Sequence, residues 1–164
     1  MKKMFIAALA ATFAFVPLVA GAQQPAAPPA YGMPISLEVA KKALAAAEAE
    51  ARKNNWTVAI AIVDTSAKLV AFVKIDNTQH VSVDIAIGKA ATAVNFKRPT
   101  KALQDGLAQG GASLRTLAIP GAFPLEGGQP IVVDGKIVGG IGTSGVMANQ
   151  DAEVSAAGVA AVAK

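Results

Sequence analysis

Three glycines, Gly140, Gly142 and Gly145, stand in the stretch GGIGTSG (139 to 145) with the gaps of a GxGxxG motif. In a dinucleotide enzyme that spacing brings the backbone of a strand-to-helix turn against a pyrophosphate. The chemistry asks for more than glycines. The motif must open a parallel βαβ unit, with a second strand after the helix and an acidic residue about 20 positions on to hold the ribose. The residues after Gly145 read as one helix, with neither strand nor ribose carboxylate, and the strand carrying Gly140 and Gly142 reads as the second arm of a hairpin. Nucleotide binding fails on context.

Nucleophilic catalysis is equally constrained. His80 is the only histidine and there is no cysteine. The familiar sets of nucleophile, base and orienting group cannot be written, and disulfides, thiolate metal sites and a cysteine nucleophile are excluded.

The elements that must position these residues are well marked. Ser36 precedes LEVAKKALAAAEAEARKNN, in which Leu37, Ala40, Leu44, Ala47 and Ala51 step by three and four, with Glu38 in the first turn; this predicts a capped helix ending near Asn54 and Asn55. WTVAIAIVD (56 to 64) is a continuous apolar, β-branched run, a strand covered on both faces, and LVAFVKID (69 to 76) is its antiparallel partner across the turn TSAK. Ser82 is positioned to cap an alanine-rich helix to Asn95, with Asp84 in its first turn. Thr100 restarts a short helix to Gln109, stopped by Gly110 and Gly111. The following stretch, SLRTLAIPGAFPLEGG, is irregular, with room for one short edge strand.

QPIVV and KIVGGIG flank Asp134-Gly135, the two-residue turn of a type I′ hairpin. A last helix follows, with Asn149 as its cap and Asp151 and Glu153 in its first turn. The order implies an α+β sandwich: a mainly antiparallel sheet of about five strands with helices packed on it. Alternation puts Gly140 and Gly142 on one face of their strand, which is nearly bare. A helix, a ligand or another subunit could fill it.

Residues 35–164 form one domain, large enough to bury a core without crosslinks. Before it, MKK, the apolar run from Phe5 to Ala20 and Ala20-Gly21-Ala22 have the form of a cleavable signal peptide over residues 1–22. The run is shorter than the roughly 20 residues of a membrane span. Export to the periplasm or medium is expected, with no membrane attachment afterwards. The segment QQPAAPPAYGMP (23 to 34) reads as a flexible arm. The net charge is +4; setting aside Lys2 and Lys3 leaves 13 basic side chains against 11 acidic ones, without the clustering or the aromatics of a nucleic-acid surface.

Taken together, AIAIVD (59 to 64), LVAFVKID, SVDIAIGKAATAVNFKRPT (82 to 100), EGGQPIVVDGKIVGGIGTSG (126 to 145) and QDAEVSAAG (150 to 158) closely resemble the GlcG/HbpS family over almost the whole domain. The family's Lys-Ala pair matches Lys89-Ala90, its strand-end aspartate Asp64, its glycine-rich strand Gly140 to Gly145, and its Gln-Asp helix start Gln150-Asp151. The resemblance implies a profilin-like sandwich in a small homo-oligomeric protein. Several members bind haem, and a related module ends adenosyltransferases of the PduO type.

If haem is the cofactor, His80 is the foremost candidate iron ligand, since imidazole is a common axial ligand. Met33 and Met147 are weaker candidates, methionine being more often packing, and Tyr31 lies in the arm. Lys89, Lys97 and Arg98 could pair the propionates, Arg98 in bidentate fashion. Lys89 would stand roughly 13 Å from His80 along a continuous helix. Gly140, Gly142 and Ser144 would supply the pocket wall. Three readings stay open: a haem-binding protein that holds, buffers or presents its cofactor; an enzyme or accessory protein on a small carbonyl or acid metabolite, such as in glycolate metabolism, with Lys89 and Asp64 as acid and base; and an oligomeric scaffold whose subunit contacts are the glycine strand and the alanine-rich helices.

Overall fold

The computed structural model describes residues 27–163. The expected signal segment and the start of the expected arm lie outside the described residues. The rest of that arm is docked: Ala30–Tyr31 is a short strand, β1, parallel to Lys136–Ile137.

Ser36 caps α1 (Leu37–Lys53) by accepting from the Val39 amide at 3.3 Å, and Asn54 closes it. The buried stripe is Ala40, Ala43, Ala47 and Ala51, whereas Leu37 at the helix start is exposed. Strands β2 (Ala59–Asp64) and β3 (Leu69–Lys74) form the expected hairpin. Helix α2 (Ser82–Asn95) and α3 (Thr100–Gln109) follow. The irregular stretch holds a 3₁₀ helix, Gly111–Ala118, and no strand. Strands β4 (Gly128–Val133) and β5 (Lys136–Ser144) are joined by Asp134 and Gly135, both at positive φ as the type I′ turn requires. Helix α4 (Ala148–Ala160) ends the fold.

Two expected caps are displaced. Ser82 lies inside α2, its hydroxyl turned to Ser144 at 3.3 Å, and Asn149 lies inside α4, which Met147 precedes. At α4 it is Gln150 that reaches back, its side-chain oxygen accepting from the Met147 amide at 3.2 Å.

β5 is the spine of the five-stranded sheet, with β4 along one edge and β2 along the other; β1 takes the start of the β2 edge, and β3 lies outside β2. The expected α+β sandwich has helices on both faces. Ile60, Ile62, Ile141 and Val154 pack with the α1 alanines on one side, and Ala59, Ala61 and Val63 meet Ala86, Ala90 and Val94 of α2 on the other. No helix among the described residues is long and apolar enough to cross a membrane.

Candidate functional site

Helix α2 strings the sequence-derived candidates along one axis and thereby separates them. His80 precedes its first residue and Arg98 follows its last. The 14 residues of the helix itself span about 21 Å. His80, Lys89 and Arg98 therefore do not converge on one pocket.

The bare face of β5 is filled by α2. A Cβ on Gly142 would collide with Ala86 O and stand 2.5 Å from Ala90 N; one on Gly140 would stand 2.6 Å from Val94 Cγ2. These glycines let a helix backbone lie directly on the sheet. Of the three fillers the sequence left open, it is the helix that occupies this face, so neither glycine lines a pocket here. Ser144 is likewise removed from solvent, its hydroxyl donating to Ser82.

Lys89 is buried at the centre of α2. Its Nζ donates to Asp151 Oδ2 at 2.8 Å and to Thr143 O at 2.9 Å. Asp151, from the first turn of α4, also accepts from the Val146 amide at 3.3 Å. Burial pushes the Asp151 carboxyl above its ordinary range, and the Lys89 ammonium opposes that rise. The pair joins helices from opposite faces of the sheet around Gly127, whose absent Cβ would stand 2.8 Å from Lys89 Nζ. Thr143 and Ser155 hydroxyls, 2.8 Å apart, complete this polar cluster, with Ser155 donating to Gly127 O at 2.7 Å. Every buried side-chain polar atom among the described residues has a partner. Lys89 is thus buried and paired within the fold, not presented at the surface as the propionate reading expected. Asp64, its supposed catalytic partner, accepts from the Ser66 and Lys68 amides and shapes the β2–β3 turn.

His80 is exposed, with Nδ1 3.4 Å from Lys74 Nζ. An imidazole that ligates iron through Nε2 carries its proton on Nδ1, and a protonated Nδ1 cannot accept from an ammonium. Ligation at Nε2 requires Lys74 to move aside. Met33 and Met147 are exposed. Tyr31 is engaged: its hydroxyl donates to Val94 O at 2.9 Å and Lys97 Nζ lies 4.2 Å from its ring centroid, so Lys97 too has a structural contact.

Arg98 reaches an open cleft of about 350 Å³ between α3 and the 3₁₀ helix, where Arg115 joins it. Phe96, Leu103 and Ile119 give the cleft apolar walls, and Ser113 and Thr116 contribute hydroxyls. Neither arginine makes an ion pair among the described residues; Arg98 Nε donates to Phe96 O at 3.1 Å. The segment forming the far wall is tied down beyond it, by the Phe123 amide on Thr92 Oγ1 and the Glu126 amide on Gln104 Oε1, both at 2.8 Å. Two arginines at the rim of a mixed polar and apolar cleft suit a molecule that carries carboxylates at one edge. Haem has that chemistry, and the donor set fits its propionates and its ring edge while offering no imidazole. The sequence reading missed Arg115 because the 3₁₀ segment carries no clear periodicity, and missed Lys89–Asp151 although both residues had been singled out. A lone lysine among the small residues of α2 was the available sign of burial.

A family model described as "Haem degrading protein HbpS-like" matches residues 35–160. Protein GlcG of Escherichia coli K12 is 38% identical over 110 residues, covering 67% of this chain and 81% of that one. Among solved structures, a double mutant of Streptomyces reticuli HbpS superposes with a TM-score of 0.75 at 32% identity, covering 92% of this chain and 99% of that chain. A PduOC:haem complex gives 0.73 at 27% identity, covering 79% and 95%.

Proposed function

Because the chain belongs to the HbpS-like family, we propose that it is an exported haem-binding protein, periplasmic or secreted, that holds or presents haem in the cleft between α3 and the 3₁₀ helix. The observation that carries this reading is that Arg98 and Arg115 line the same cleft as Phe96, Leu103 and Ile119. Two guanidiniums pair two propionates, and the apolar walls take the edge of the macrocycle. Bound haem supplies a redox-active iron; the chain's residues supply orientation and charge neutralisation. The PduOC:haem complex, of the same fold, supports haem as ligand, and the leader-like residues 1–22 support export. The metabolite reading loses its acid and base, since Lys89 and Asp64 are both engaged structurally.

The test is hemin titration of the purified mature chain, followed by its Soret band, in wild type, the double variant Arg98→Ala/Arg115→Ala, and His80→Ala. Saturable binding that weakens strongly in the double variant and persists in His80→Ala supports the cleft. Binding lost in His80→Ala alone moves haem to the other end of α2. A wild-type spectrum indifferent to hemin sinks the reading.

A further inference from the structure

We infer that the Arg98–Arg115 cleft recognises its tetrapyrrole by the carboxylates and the apolar ring edge, without regard to the central metal. This rests on the haem reading above and narrows the ligand to a chemical class: planar tetrapyrroles bearing free carboxylates, metal-free porphyrin included.

The lining shows why. It contains two guanidiniums, two hydroxyls and apolar groups, and no imidazole, thioether or carboxylate. The one histidine lies beyond the far end of α2, and the chain has no cysteine. A site whose strong donors are cations discriminates by charge at the ligand's rim.

The shape of the surface agrees. A 3₁₀ helix repeats every three residues, so Ser113 and Thr116 stack on one edge, with Ile119 following them along the cleft. The neighbouring edge carries Leu114 and Leu117, 50% and 67% exposed. A cleft of about 350 Å³ is small for a macrocycle, since ligand sites run from roughly 300 to 1,000 Å³. One ring edge enters it, and the rest of the macrocycle extends outside toward the edge of the 3₁₀ helix that carries the two leucines. Metal coordination takes no part in either contact.

The experiment compares hemin, metal-free protoporphyrin IX and the dimethyl ester of each, titrated into the mature chain and followed by absorbance and by quenching of Trp56. Hemin and protoporphyrin IX should bind within about threefold of each other. The esters should bind at least about tenfold more weakly, the loss expected when a charge-assisted contact is removed. Arg98→Ala and Arg115→Ala, both exposed positions whose folding is checked by circular dichroism, should weaken hemin and protoporphyrin alike. Hemin binding well while protoporphyrin binds more than about tenfold worse overturns metal-independent recognition and leaves the haem reading standing. Esters that bind as well as the free acids overturn recognition by charge, since adsorption on Leu114 and Leu117 then suffices. Failure of all four ligands overturns the haem reading and this inference with it.

Discussion

Lys89 Nζ and Asp151 Oδ2 lie 2.8 Å apart with both side chains buried, joining helices on opposite faces of the sheet through residues 62 positions apart. Removing one partner of such a pair leaves an uncompensated buried charge. Lys89→Met should lower stability by about 3–5 kcal/mol in chemical denaturation. The double variant Lys89→Met/Asp151→Leu should recover most of that loss. A double variant as unstable as the single one would show that the pair also fixes the packing of α2 on α4.

The acid side of the stability curve carries the same pair's signature. Burial raises the folded Asp151 carboxyl above its unfolded value. Its contribution is therefore fully present below the unfolded value and is lost as pH rises through the folded one. The melting-temperature advantage of wild type over Asp151→Asn should shrink as pH rises from below the ordinary carboxylate range to above it. An advantage that grows over that window would mean that Lys89 outweighs burial.

Gly142 and Gly106 should respond to alanine with opposite signs. A methyl group at Gly142 strikes the α2 backbone at Ala86 and Ala90, so Gly142→Ala should cost at least about 1–3 kcal/mol. Gly106 is inside α3, and a Cβ there meets only the Ser113 side chain, Oγ at 3.4 Å and Cβ at 3.5 Å. Gly106→Ala should stabilise by about 0.5–1 kcal/mol. Thermal melts of the two variants decide both.

Tyr31 fastens the segment before α1 to the end of α2 through its bond to Val94 O. Tyr31→Phe keeps the ring beneath Lys97 and removes the hydroxyl, for an expected loss of about 0.5–1.5 kcal/mol. Amide exchange at Gly32, which donates to Ile137 O at 2.8 Å, should quicken as the segment loosens. Unchanged exchange would place the anchoring in the β1 pairing alone.

Arg98 and Arg115 are exposed, so their pairing with propionates should be screened by salt. Hemin affinity should fall several-fold between about 0.05 M and 0.5 M sodium chloride in wild type and barely move in Arg98→Ala/Arg115→Ala. Salt-independent affinity in the wild type would assign binding to the apolar contacts.

Most helices and strands could be read locally because each carries its own periodicity and stops. The α1 stripe ends at Asn54, Asp134-Gly135 closes the β4–β5 hairpin, and Gly110 and Gly111 terminate α3. The caps at Ser82 and Asn149 could not be read so well, because a hydroxyl or amide that suits a helix start also suits a tertiary partner. Ser82 found Ser144. The 3₁₀ helix escaped because eight residues at three per turn leave no pattern distinct from a loop.

Residue types alone determined much about this protein: an α+β sandwich, the lack of any cysteine thiol, and the family. Tertiary structure alone decided what those residues do. The face cleared by Gly140 and Gly142 is where α2 lies, Lys89 meets Asp151 instead of solvent, and Arg98 faces a partner that the sequence reading had not named, Arg115. Periodicity and turn chemistry act over a few residues and can be read along the chain. Which side chain seals a cavity and which is left facing water is set by contacts between distant segments, and those form only when the sheet and its two helical layers close.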